Sequence, residues 1–212
     1  MDLRKYLVEL IGAFFLVFTI GMCVVDAKPA SGVIPPLAIG FALMVMVYAG
    51  GHISGAHYNP AVTLAVWIRG RCATKDVAPY MIAQVAGAAL AAFLVIYLKG
   101  HSAEGGPDPD PVKSFLVELL FTFALGYVVL NVATAKANAN NSFYGLAIGS
   151  TVMVGAFAVG AISGGAFNPA VAVGVTIMGL AKVGHLVLLL AATFLGGALA
   201  GVTFRYLNPD DK

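Results

Sequence analysis

A segment reading SGAHYNPAVTL at residues 54–64 returns as SGGAFNPAVAV at residues 163–173, 109 positions later. Each copy sets an Asn-Pro-Ala triplet, Asn59-Pro60-Ala61 and Asn168-Pro169-Ala170, in an apolar background. The same offset carries Val8-Glu9-Leu10 onto Val117-Glu118-Leu119 and Leu37-Ala38-Ile39-Gly40 onto Leu146-Ala147-Ile148-Gly149. It also carries Gly87 onto Gly196 and Tyr97-Leu98 onto Tyr206-Leu207. A single ungapped register predicts two copies of one unit, about 1–109 and 110–212.

The units are built for lipid. The chain is 60% hydrophobic and 10% charged, where a soluble domain carries about 25% charge. Its net charge of +2 is too small to suggest a nucleic-acid partner. Cys23 and Cys72 show no metal-ligand spacing and read as small core residues; no cofactor is expected. Crossing ~30 Å of hydrocarbon takes ~20 apolar residues. Six segments qualify, about 6–25, 33–51, 79–98, 113–134, 143–161 and 184–206. The first follows Arg4-Lys5 as a signal peptide would, but its repeat mate at 113–133 is internal, so it reads as a span.

Three spans per unit is an odd number, so the second unit runs upside down relative to the first. Inverted repeats place their sites near the bilayer midplane. With six spans both termini share one side. That side collects Arg4, Lys5, Arg69, Arg71, Lys75, Lys136, Arg205 and Lys212, against Lys28, Lys99, Lys113 and Lys182 on the other, which predicts cytoplasmic termini. The connector EGGPDPDP (residues 104–111) is then external.

Two further apolar pieces, about 60–68 and 169–179, are too short to span. Each starts with Pro, which suits the first helical position, directly after Asn, a strong N-cap. They read as half-helices entering from opposite faces, their N-termini meeting near the midplane. The approaches Gly50-Gly51 and Gly164-Gly165 suit irregular backbone, which survives at that depth only when buried in protein or lining a water-filled cavity. Opposed N-termini put about half a positive charge each at the centre, and two Asn amides donate there. Carbonyls of Gly55, Ala56, His57, Gly164, Gly165 and Ala166 would supply acceptors. Such a path suits small neutral molecules and rejects ions.

Paired Asn-Pro-Ala half-helices, an acid early in spans one and four, and six spans in an inverted repeat resemble the aquaporin (major intrinsic protein) family over essentially the whole chain. The resemblance implies an all-α membrane fold of six transmembrane helices and two half-helices, one pore per subunit, and a homotetramer in the lipid bilayer. It implies that Glu9 and Glu118 brace the irregular loop of their own repeat, and that His57 does so too.

Water-selective members of that family narrow at four positions, one an Arg directly after the second triplet. Here that residue is Val171. Counting from the two Asn residues puts the others at Ile39, Ala156 and Gly165. This filter has no charge and no aromatic ring. The expectation is a wide apolar filter that passes water with glycerol, urea, ammonia, hydrogen peroxide or neutral metalloid hydroxides. The competing reading is a proton- or ion-coupled secondary transporter, for which Glu9 and Glu118 are the only midplane candidates. An enzyme is not expected, because no Ser/His, His/Glu or Asp pair converges on the triplets.

Overall fold

The computed structural model describes residues 3–27, 31–103 and 108–211. Lys28, Lys212 and residues 104–107 of the connector, which entered the charge and loop expectations above, lie outside the described residues.

The described residues form eight α-helices and no strands: α1 (Leu3–Val24), α2 (Ile34–Ser54), α3 (Pro60–Arg69), α4 (Thr74–Lys99), α5 (Pro111–Val129), α6 (Tyr144–Ser163), α7 (Pro169–Ile177) and α8 (Val183–Leu207). Six are long and apolar enough to cross a membrane, α5 continuing through a π turn to Thr134. The chain is an integral, multi-pass membrane protein.

Helix ends follow local chemistry. Pro occupies the first turn of α2, α3, α5 and α7, where its missing N–H has no intrahelical partner to lose. Asp110 caps α5 by accepting from Val112 and Lys113 at 2.9 and 3.0 Å. Helix α2 runs through Gly50-Gly51 to Ser54, so that pair is helical and irregular backbone begins only at Gly55. Gly50 serves packing instead: a Cβ there would lie 1.9 Å from the Tyr58 hydroxyl.

The helices pack mainly as α1 on α4, α5 on α8 and α2 on α6. Small residues bring the backbones close, as in lipid, where helices associate by packing and not by expelling water. A Cβ on Gly87 would stand 2.3 Å from the Leu10 carbonyl, and one on Gly196 would stand 2.6 Å from that of Leu119. Gly40 and Gly149 meet each other across the α2–α6 crossing. Half-helices α3 and α7 lie inside this frame, against α8 and α4 respectively.

Candidate functional site

The two triplets meet at their N-termini. Asn59 Oδ1 accepts from Ala61 and Val62 at 2.9 and 3.4 Å, and Asn168 Oδ1 accepts from Ala170 and Val171 at 2.8 and 3.4 Å. Each carboxamide therefore has its oxygen committed to its own helix. One N–H of each reaches across: Asn59 Nδ2 donates to the Phe167 carbonyl and Asn168 Nδ2 to the Tyr58 carbonyl, both at 2.9 Å. An amide nitrogen carries two hydrogens, so each keeps a second donor, and both Asn residues line the same cavity.

The loops before the triplets hold a strained path. Gly55, Ala56 and Tyr58 have φ of 86°, 52° and 50°; Gly164, Gly165 and Phe167 have 92°, 67° and 48°. Non-Gly residues in the left-handed region cost on the order of 1 kcal/mol or more and persist only where the surroundings hold them. Two buried glutamates do the holding. Glu9 accepts from Ser54 Oγ (2.6 Å), His57 N (2.9 Å), Tyr58 N (2.6 Å) and Gln84 Nε2 (2.7 Å). Glu118 accepts from Ser163 Oγ (2.7 Å), Ala166 N (2.9 Å) and Phe167 N (2.7 Å). Ala56 N and Gly165 N donate to Ser54 Oγ and Ser163 Oγ.

These bonds also orient the carbonyls. In a planar trans peptide the C=O points opposite to the N–H that follows it, and no peptide bond among the described residues is cis. With the N–H groups of residues 56–58 and 165–167 turned to the glutamates and serines, the carbonyls of Gly55, Ala56, His57, Gly164, Gly165 and Ala166 face away from them. His57, Gly165 and Ala166 line the central cavity, while Gly55 and His57 line a wider vestibule of about 590 Å³ on the face carrying Arg71 and Lys136.

The central cavity itself is about 20 Å³, room for one or two waters when one needs roughly 10–15 Å³. Apart from Tyr58 and Gly165, its lining falls into pairs separated by 109: Leu16 and Leu125, Ile20 and Val129, Ile39 and Ile148, Leu43 and Val152, Val62 and Val171, Asn59 and Asn168, His57 and Ala166. Neither glutamate is among the lining residues.

Three of the four expected filter residues, Ile39, Gly165 and Val171, line this cavity; Ala156 does not. Helix α6 runs to Ser163, and Ala156 lies about two turns before its end. Gly160, one turn further on in α6, approaches Gly165. Its Cα sits 3.5 Å from where a Gly165 Cβ would be, and nothing lies within 4 Å of where its own Cβ would be.

Three further residues support the site and were not among the expected site residues. Gln84 and Thr63 are fully buried beside Glu9 and His57. A lone Gln in an apolar span was a usable signal, since polar groups there need a reason. Arg69, at the end of α3, is buried and bonded to Thr134 and Asp211, a contact over a separation no local pattern reveals.

The sequence matches the major intrinsic protein family over residues 1–204. It is 40% identical to Aquaporin NIP1-3 of Oryza sativa subsp. japonica over 99% of this chain and 75% of that protein. It is 38% identical to Glycerol uptake facilitator protein-like 6 of Lactiplantibacillus plantarum over 99% of this chain and the whole of that one. Its fold matches the aquaglyceroporin from Plasmodium falciparum with a TM-score of 0.81 over 96% of each chain, at 19% identity. With a family match across nearly its full length, the chain belongs to the major intrinsic protein family and is a passive channel for water and small solutes.

Proposed function

We propose that the central cavity is the permeation path and that it conducts water and neutral solutes of about water's width, ammonia and hydrogen peroxide first among them. The observation carrying this reading is the cavity's composition: aliphatic pairs on its walls, two Asn donors at its middle, and no Asp, Glu, Lys or Arg in its lining. A permeant exchanges hydrogen bonds with Asn59, Asn168 and the carbonyls of Gly55, Ala56, His57, Gly164, Gly165 and Ala166. A cation instead meets two positive helix ends and an apolar wall that cannot replace its hydration.

The filter is apolar, formed by Ile39, Ala156, Gly165 and Val171. Beside it the path is narrow, so glycerol, urea and metalloid hydroxides need rearrangement of Ile39 and its neighbours. The two units, 1–109 and 110–212, are inverted copies; the paired lining residues support this. The protein assembles as a homotetramer with both termini cytoplasmic, a reading supported by the family and by the charge distribution. It catalyses no reaction.

Osmotic-jump light scattering of proteoliposomes tests the path, with water, methylamine, urea and glycerol compared for the native protein, Ile39→Ala and Val171→Arg. The expected result is water and methylamine flux in the native protein, added urea and glycerol flux in Ile39→Ala, and loss of methylamine flux in Val171→Arg. Identical flux for all three proteins would place the path elsewhere.

A further inference from the structure

His57 stands where the narrow cavity opens into the wider vestibule and lines both. Its Nδ1 lies 3.1 Å from Thr63 Oγ1. Its Nε2, on the other edge of the ring, lies beside Gly55, which lines the vestibule; a Cβ on Gly55 would be 3.3 Å away. Which nitrogen carries the hydrogen decides whether the channel sees a donor or an acceptor.

The surrounding bonds decide it. Both oxygens of Glu9 accept, from Ser54, His57 and Tyr58 donors, and a carboxylate can only accept. The Gln84 amide must then turn its nitrogen to Glu9, at 2.7 Å, and the same nitrogen donates to Thr63 Oγ1 at 3.0 Å. Thr63 Oγ1 has one hydrogen, and the Asn59 carbonyl, which can only accept, lies 3.1 Å from it. With its hydrogen on Asn59 and one lone pair taken by Gln84, Thr63 offers His57 a lone pair. Turning the Thr63 hydrogen to His57 instead would forfeit the bond to Asn59 and leave one fewer buried bond.

We infer that His57 is held as the tautomer bearing hydrogen on Nδ1, with Gln84 and Thr63 as its positioning residues, so that Nε2 offers a fixed bare acceptor to solutes bearing O–H or N–H groups. The recognition half of this inference rests on the permeation path proposed above. The second unit carries Ala166, Ala172 and Thr193 at the matching positions, so the acceptor exists at one end of the path only.

Nitrogen-15 spectra of histidine-labelled protein in bilayers at neutral pH read the tautomer directly, with the His57 signals assigned by their loss in His57→Leu. The expected pattern is a hydrogen-bearing Nδ1 and a bare Nε2; the reverse pattern overturns the tautomer. In Thr63→Val the ring loses its anchor, and the methylamine-to-water flux ratio should fall about two- to tenfold, the worth of one hydrogen bond. An unchanged ratio overturns the recognition role. Absence of flux in the native protein sinks the permeation path and leaves the tautomer assignment standing on its spectrum.

Discussion

Asn59 of the first half-helix donates to the Phe167 carbonyl that precedes the second, and Asn168 returns the same bond to Tyr58 at the same 2.9 Å. The two N-termini are thus tied to each other by the side chains that cap them. Asn59→Ala removes a cap, worth about 0.5–2 kcal/mol, and leaves the buried Phe167 carbonyl without its partner, a further 1–3 kcal/mol or so. Asn168→Ala should lose a similar amount, since its bonds match in length. Thermal unfolding in detergent measures both; a drop for one variant alone would show that the two ties are unequal.

The glutamates are not equivalent. Glu9 serves two backbone N–H groups, Ser54 and Gln84, whereas Glu118 serves two backbone N–H groups and Ser163. Gln in place of either would aim an amide N–H at a backbone N–H. Charge-assisted bonds are worth about 1.5–3 kcal/mol each. Glu9→Gln should therefore lower the unfolding temperature more than Glu118→Gln, because it also sets two amides, its own and that of Gln84, in conflict. Equal loss would mean that Gln84 adds nothing.

The fold was legible because its signals are local and doubled. Apolar length gave six spans, Asn-Pro gave each half-helix start, and each feature recurs 109 residues on. What escaped depends on loop geometry or on distant partners. The close approach of Gly160 to Gly165 depends on how the loop after α6 turns back, which its residue types do not reveal. Gly50-Gly51 read as an approach of irregular backbone, but the pair is helical and Gly50 makes room for the Tyr58 hydroxyl. Arg69 read as one more positive charge on the cytoplasmic side, whereas the fold buries it.

Close helix approach gives the next expectation. Ala at Gly87 would bring its Cβ to 2.3 Å from the Leu10 carbonyl, a backbone atom that cannot rotate away. Gly184 sits in the first turn of α8 with nothing within 4 Å of an added Cβ. Overpacking of this kind costs about 1–3 kcal/mol, so Gly87→Ala should unfold at lower temperature and Gly184→Ala should match the native protein. Comparable melting of the two would argue against the tight α1–α4 contact.

Asp211 ties three parts of one face together. Its carboxylate accepts from Lys136 N at 2.8 Å and from Arg69 Nη2 at 2.6 Å, with Arg71 Nη2 at 3.7 Å. The Lys136 N–H, then the Arg69 guanidinium, hold its pKa below the ordinary 3.8. A carboxyl whose folded pKa is depressed stabilises the fold above its unfolded value, and that contribution is lost as pH falls through the folded one. The native protein should therefore melt higher than Asp211→Asn at neutral pH, and the gap should close as pH drops below about 4. Arg69 keeps its bond to the Asp211 backbone carbonyl in the variant, at 2.8 Å, so the half-helix stays anchored and only the carboxylate's share is read. A gap that stays constant from neutral to acid pH would show that the Asp211 charge contributes nothing to this clasp.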